Sequence, residues 1–231
     1  MPTRLRARDI LVIDVGGTNI KVLTLGRPKP AKIPSGPGYT PRALVADVKR
    51  VTPGWQYGAI SIGLPGVVAK GRLVAEPPNL GRSWVGFDFE KAFGLPVRVI
   101  NDAAMQALGA YTGGRMLFLG LGTGLGSALV VEGVVAPLEL GHLPYRHGRT
   151  FEGYVGAAGL KRLGRRRWRN HVAEAIALIG AAMEPEYVML GGGNAHLFKQ
   201  RPPDVQLVGE KAALIGGCRL WVPLQRVRLR T

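Results

Sequence analysis

Cysteine is almost missing from this sequence: Cys218 is the single one in 231 residues. That excludes a disulfide framework and a Cys-rich zinc site. Acidic residues are also scarce, with 15 Asp+Glu against 31 Lys+Arg, so the formal net charge is 31 − 15 = +16. A chain this basic attracts polyanions, whether nucleic acid, an anionic membrane or polyphosphate. Long apolar runs are lacking too. The longest uncharged stretch, Met116 to Val131, is broken by glycines and falls short of the ~20 residues a membrane-spanning helix needs. The N-terminus carries Arg4, Arg6 and Arg8, but Asp14 cuts the apolar run that follows, leaving no secretory core segment. No helix–turn–helix pair fits ahead of residue 10. These absences predict a soluble, cytoplasmic protein without a membrane partner.

Glycine is what the chain has in excess, 34 residues, about twice the usual share. Hydrophobic content of 46% and charged content of 20% are those of a folded globular chain, and the length suits one large or two smaller domains. Ile10 to Asp14 reads as a strand, Gly16-Gly17-Thr18 as a turn and Ile20 to Leu25 as a returning strand. Residues 27–40 read as a Pro/Gly-rich loop. Thr40-Pro41 then looks like the cap and first position of a helix carrying Leu44, Val45 and Val48, which Pro53-Gly54 ends. A strand over Ala59 to Gly63, a hairpin turning at Lys70-Gly71, and a strand over Val97 to Ile100 follow. Asn101-Asp102 caps a small-residue helix to about Tyr111. The opening then repeats: Met116 to Gly120, a glycine turn over Gly122 to Gly126, and Ala128 to Val131. This recurrence points to a duplicated architecture rather than one continuous sheet, the alternative being two unrelated Gly-rich hairpins. Residues 141–151 read as a polar loop. A helix follows with Trp168, Val172, Ile176, Ile179 and Met183 on one face, then a strand over Tyr187 to Leu190, and a last helix near Lys211 to Trp221.

Three groups of residues could do chemistry. The two Gly-Thr turns would surround an anion with backbone N–H groups, since glycine permits close approach. Asp14, just ahead of the first turn, could hold Mg²⁺ through water, because Mg²⁺ keeps its waters and takes few carboxylates. Asp102 opens a helix and reads as its N-cap or as a general base taking a proton from an attacking hydroxyl, and both hold if Asn101 or the helix N-terminus shares the capping. Glu139-Leu140-Gly141-His142 puts a carboxylate and an imidazole where both could bind one polyol, against the plainer reading of an ordinary loop histidine. Asn79, behind Pro77-Pro78, could present its amide to a sugar. The remaining histidines show no paired spacing that would suit a metal.

Taken together and in order, Asp14-Val-Gly-Gly-Thr-Asn-Ile-Lys21, Ser61-Ile-Gly-Leu-Pro-Gly66, Asn101-Asp102-Ala103, Leu121-Gly-Thr-Gly-Leu-Gly126, Glu139-Leu-Gly-His142 and Gly191-Gly-Gly-Asn194 resemble the ROK sugar kinases. Within that family, Phe151 to Gly156, Lys161 to Val172 and Leu207 to Trp221 look most like polyphosphate/ATP glucokinases. The resemblance implies an α/β, actin-like (ribonuclease-H-like) fold duplicated into two domains, 1–113 and 114–231, with a central cleft, the last helix (about 211–221) packing back on the first. It implies transfer of a phosphoryl group to the 6-hydroxyl of glucose from polyphosphate or ATP. Asp102 would be the base; Asn79, Asn101, Glu139, His142 and Glu152 would bind the sugar. Gly16, Gly17, Thr18, Lys21, Gly122, Thr123 and Gly124 would hold the donor phosphates, with Gly191, Gly192 and Gly193 on the nucleoside side. Mg²⁺ is the expected cofactor and a homodimer the expected assembly. The Cys-rich zinc motif of many members is absent after His142 and the helix–turn–helix of the family's repressors is missing, so neither zinc nor DNA is expected. A strictly ATP-dependent hexokinase and a non-catalytic sugar- or polyanion-binding protein are the competing readings.

The run from Lys161 to Arg169 holds Lys161, Arg162, Arg165, Arg166, Arg167 and Arg169. It reads either as a solvated helix face or as a polyanion site. The apolar stripe starts at Trp168, which places these arginines at the first turn of the helix. There, positive charge opposes the macrodipole unless an anion offsets it. Nucleic acid would meet the same charge, but no stacking series of aromatics accompanies it, so linear polyphosphate is the expected partner.

Overall fold

A computed structural model describes residues 5–199, 201–209 and 211–222. The chain divides into two units, one formed by Met1–Met105 with Ala213–Thr231 and the other by Gln106–Ala212. Each is built on its own five-stranded sheet.

In the first unit, β1 (Ile10–Val15) is buried at every position, the pattern of a central strand covered on both faces. It pairs antiparallel with β2 (Asn19–Leu23), which pairs with the edge strand β3 (Ala31–Pro34). Helix α1 (Pro41–Val51) starts where the Thr40 side chain accepts from the Ala43 N–H, with proline in the first turn. The chain returns through β4 (Ala59–Leu64), parallel to β1. A small hairpin of β5 (Val68–Ala69) and β6 (Arg72–Leu73) turns at Lys70 and Gly71, both with positive φ. Next come a short α2 (Phe89–Phe93), then β7 (Val97–Asn101), parallel to β4, and α3 (Asp102–Ala110). One face of the sheet is packed with Leu11, Ile13, Ile20, Leu44, Ile60 and Trp84. The other carries Ile10, Val12, Met105 and three residues of the last helix, Ala213, Leu214 and Cys218.

The second unit repeats this order. Strands β8 (Arg115–Leu121), β9 (Leu125–Val131) and β10 (Val134–Leu138) form an antiparallel meander. The hairpin of β11 (Pro144–Arg146) and β12 (Arg149–Thr150), α4 (Phe151–Val155) and the long α5 (Ala157–Met183) come next. Then β13 (Tyr187–Gly191) lies parallel to β8, and β14 (Val205–Leu207) parallel to β13; α6 (Ala212–Arg219) closes the described chain. The two sheets therefore read β3-β2-β1-β4-β7 and β10-β9-β8-β13-β14: a three-strand meander with two parallel strands added beside its first member. This is the duplicated architecture that the recurrent Gly-Thr motif implies. Leu117, Leu119, Val155, Trp168, Val172 and Ile179 lie in its core. Among the described residues no helix is long and apolar enough to cross a membrane.

Several elements depart from the sequence reading. Residues 27–40 contain β3, and residues 141–151 contain β11, β12 and the start of α4 instead of a plain loop. The second glycine turn is tighter than expected, since β9 already begins at Leu125. Strands β10 and β14 and helix α2 had no expectation at all. The expected apolar stripe of α5 is present, with Trp168, Val172, Ile176 and Ile179 buried, and its helix is broken at Gly164 (φ 72, ψ 161).

Candidate active site

The first Gly-Thr turn is shaped by what glycine leaves out. The Gly16 N–H donates to the Asn19 carbonyl at 3.0 Å, and the Ser35 hydroxyl donates to the Gly16 carbonyl at 2.6 Å. A Cβ on Gly17 would lie 2.9 Å from Cβ of Asn79, so the missing side chain lets a residue far away in sequence settle against the turn. Asn79 is exposed on a loop that the sequence reading left unexplained. The Glu76 carboxylate accepts from the N–H groups of Ser83 (3.1 Å) and Trp84 (3.0 Å). The Trp84 indole donates to the Tyr39 carbonyl at 3.2 Å, and the Gly81 N–H donates to the same carbonyl at 2.8 Å. Glu76, Gly81 and Trp84 thus fix the loop that carries Asn79. Their signal is non-local, because the sequence shows an acid and a tryptophan but not the backbone they meet.

Asp14 sits one residue before the end of β1, 8% exposed, opposite Lys21 in the β1–β2 register. Burial raises its carboxyl above the usual carboxylate range, and the Lys21 ammonium opposes that rise. A single carboxylate at a phosphate-type turn fits a hydrated Mg²⁺ better than a metal needing a full protein cage.

Asn101 and Asp102 divide the work at the start of α3. Asn101 Oδ1 accepts from the Ala104 N–H at 2.9 Å, the N-cap bond, and its Nδ2 donates to the Gly66 carbonyl at 3.0 Å. Each end of that amide keeps one further bonding position. Capping therefore falls to Asn101. The half-buried Asp102 accepts from the adjacent Ala103 N–H at 2.8 Å, with Gly63 beneath it: a Cβ there would come within 3.2 Å of the Asp102 Cα.

In the second unit the Gly122-Thr123-Gly124 turn is tied to α5 through the Ala157 N–H, which meets the carbonyls of Gly122 (3.0 Å) and Thr123 (3.1 Å). A Cβ on Gly124 would strike the Glu152 carboxylate, and Glu152 accepts from the Leu125 N–H at 3.3 Å. Gly141 packs on the Leu125 carbonyl and on Cβ of Glu152, so the segment holding Glu139 and His142 lies against Glu152. His142 Nδ1 is 3.8 Å from Glu139 Oε2, both side chains well exposed. Gly192 (φ 81) packs on the backbone of Leu121, and Asn194 bonds Leu121 and Gly122 carbonyls. Gly191, Gly192 and Gly193 thereby join the second turn.

Of the basic run, Arg162 donates to the Gly153 carbonyl at 2.7 Å and lies over the Tyr154 ring, while Arg169 donates to the Leu197 carbonyl at 2.7 Å. Lys161, Arg165, Arg166 and Arg167 are exposed, and among the described residues no carboxylate pairs with any of the six. The break at Gly164 puts Arg165, Arg166 and Arg167 in the first turn of the helix that runs to Met183.

Two equivalent sheets, each with a Gly-Thr turn, give the duplicated architecture of the actin-like class. Residues 10–161 match the family model described as the ROK family, and the chain belongs to that family. The polyphosphate glucokinase of Mycobacterium tuberculosis is 28% identical over 236 residues, spanning 91% of this chain and 84% of that protein. Among solved structures, the inorganic polyphosphate/ATP-glucomannokinase of Arthrobacter sp. strain KM superposes with a TM-score of 0.77 at 26% identity, covering 90% of this chain and 96% of that one. The ROK family glucokinase of Streptomyces griseus, solved with glucose and AMPPNP, shares the fold with a TM-score of 0.72 at 20% identity, covering 91% and 99%.

Proposed function

We propose that this protein phosphorylates glucose at its 6-hydroxyl, with inorganic polyphosphate as donor and ATP as a second donor. The observation that carries this reading is the division of labour at α3. Asn101 makes the cap bond, so the start of α3 does not require the Asp102 carboxylate as its cap. The relatives named above supply the substrate class: a polyphosphate glucokinase and a polyphosphate/ATP-glucomannokinase.

In this reading Asp102 accepts the proton of the 6-hydroxyl as its oxygen attacks the terminal phosphorus. A P–O bond to the sugar forms, the bond to the bridging oxygen breaks, and the shortened polyphosphate or ADP leaves. Asn79, Asn101, Glu139, His142 and Glu152 hold the other hydroxyls. Backbone N–H groups and the exposed hydroxyls of Thr18 and Thr123 hold the donor, with Lys21 adding charge; positioning and charge stabilisation carry the rate in such transfers. When bound, Mg²⁺ neutralises donor charge, and Asp14 would hold it through water. Arg165, Arg166 and Arg167, exposed and, among the described residues, unpaired with carboxylates, meet the polyphosphate chain, and Gly191 to Gly193 face a nucleoside when ATP binds. A homodimer is the expected assembly.

A coupled assay for glucose 6-phosphate, run separately with polyphosphate and with ATP, tests this directly. Product with polyphosphate supports the reading, product with ATP alone replaces it by a strictly ATP-dependent hexokinase, and no product with either overturns it. Asp102→Asn lowers kcat by roughly 10²-fold or more with little change in glucose binding; near-parent turnover removes Asp102 from its role.

A further inference from the structure

The segment from Glu139 to Glu152 begins and ends on groups assigned above to the sugar, and between them lies the β11–β12 hairpin. His147 and Gly148 both take positive φ at its tip, and the Phe151 N–H closes its base on the Leu143 carbonyl at 3.1 Å. A hairpin this small has too little buried surface to hold its own place.

Two of its side chains, Tyr145 and Arg146, tie it to α5. The Tyr145 ring stacks on Phe151 (centroids 4.7 Å apart, 21°) and meets Tyr154 edge-on at 5.1 Å. Its hydroxyl donates to Glu174 Oε2 at 2.7 Å and lies 2.9 Å from His171 Nδ1. Burial first, and Glu174 next, push that hydroxyl up to about 12, so it keeps its proton and donates a hydrogen bond to Glu174. Its oxygen must then accept, which makes His171 Nδ1 the N–H donor. Burial holds the His171 imidazolium below its usual range, which leaves the neutral tautomer protonated on Nδ1. The other Glu174 oxygen pairs with Arg146. Consecutive strand residues normally point to opposite faces, but a register irregularity between Pro144 and Arg146 lets Tyr145 and Arg146 reach the same carboxylate.

We infer that Tyr145, clamped by His171 and Glu174 of α5, is a positioning residue that sets the spacing of Glu139 and His142 from Glu152, and so sets sugar affinity. The chain of contact is continuous. The hydroxyl fixes the ring, the ring fixes Phe151, the residue next to Glu152, and the hairpin fixes Leu143, the residue after His142. Arg162 meets this network only at the Tyr154 ring and Gly124 only at Glu152, and neither touches the Tyr145 hydroxyl, so loss of that hydroxyl acts chiefly on the sugar. The inference rests on the sugar-kinase reading above.

Tyr145→Phe keeps the ring stacking and removes only the hydroxyl. KM for glucose rises roughly fivefold, the scale of one hydrogen bond, while kcat stays within about twofold and KM for polyphosphate or ATP does not move. His171→Leu gives the same split, and His171→Gln, which still offers an N–H, restores glucose KM toward the parent value. A purely structural role lowers Tm in all three variants without this pattern. An unchanged glucose KM in Tyr145→Phe, or a loss shared equally by glucose KM, donor KM and kcat, overturns the inference. If the parent shows no turnover, calorimetric titration with glucose decides separately. Parent binding that weakens in Tyr145→Phe supports the positioning role while the kinase reading fails, unweakened binding overturns this inference, and no parent binding overturns both.

Discussion

The two Gly-Thr turns occupy equivalent places in equivalent sheets, yet they are chemically unlike. Aligned on the last paired residue of the first strand, Val15 corresponds to Leu121, and the preceding ladder pair is Asp14↔Lys21 in one turn and Gly120↔Gly126 in the other. One position holds a buried acid facing a lysine; its counterpart holds two glycines. A Cβ on Gly120 would meet the Phe118 ring at 3.2 Å, so that site is filled by an aromatic core rather than by charge. In the second unit the carboxylate arrives from α4 instead, as Glu152 against Gly124. Duplication has kept the backbone cradle twice and the strand-borne charge once. This is what is expected if one turn handles the charged end of a donor while the other offers mainly backbone N–H groups.

The largest effect should come from erasing that difference. Asp14→Asn keeps the shape of the first turn and removes its charge, and kcat should fall by roughly 10²-fold, the scale of losing one electrostatic stabiliser. Gly120→Ala, at the matching place, should leave kcat within about twofold and cost about 1 kcal/mol of stability through overpacking against Phe118. Steady-state kinetics with thermal melts on both variants checks the pair. Equal losses of kcat would mean that the two turns share one role.

A smaller contrast lies at the glycines. Gly17→Ala drives a Cβ into that of Asn79, whose loop is held by Pro77, Pro78 and the Glu76 bonds, so little can yield; glucose KM should rise about tenfold. Gly124→Ala meets only the far end of the Glu152 side chain, which can swing away, and glucose KM should rise about threefold. Reversal of this order would show that Glu152 rather than Asn79 is the stiffer partner.

Much of this comparison was readable in the sequence. Strands β1 and β8, which lead into the two turns, are nearly continuous apolar runs because both of their faces are covered, and Thr40-Pro41 marked α1 by its cap chemistry. The edge strands β3 and β10 were not readable. In β3 only Ile33 is buried, and in β10 no residue is fully buried; one sheltered side chain leaves no alternation to detect. Pro137 in β10 even argues against a strand, although it is tolerated at a sheet edge, where a missing N–H costs little. The site residues were legible as motif members, but their supports were not. Asn79 on Gly17, Glu152 on Gly124 and the Tyr145 clamp on α5 join residues distant in sequence, and such pairings leave no local pattern.

Helix α1 of the first half and the α5 segment of the second sharpen the comparison further. Helix α1 is capped by Thr40, whereas the α5 segment beyond Gly164 opens on Arg165, Arg166 and Arg167. Replacing those three arginines by Gln should raise KM for long-chain polyphosphate by about tenfold, flatten its dependence on salt and leave glucose KM unchanged. Polyphosphate use equal to the parent's would assign the run to a solvated helix face.

The smallest expected effect is on stability, and it separates the turns by pH. Asp14 keeps its proton in the folded protein to a higher pH than the ordinary value of 3.8. Above that value the unfolded chain releases a proton that the folded one still holds, so the folded state binds more protons and loses stability as pH rises through the raised folded value. Asp14→Asn cannot ionise and escapes this loss. The variant's Tm relative to the parent, measured with a chelator so that no metal contributes, should therefore be lowest near pH 4 and climb toward pH 7. The glycine pair of the second turn has nothing to titrate, so Gly120→Ala should show a Tm difference that is flat over the same range. A flat difference for Asp14→Asn as well would mean that Lys21 fully offsets burial, and that the two turns differ in sequence without differing in charge at neutral pH.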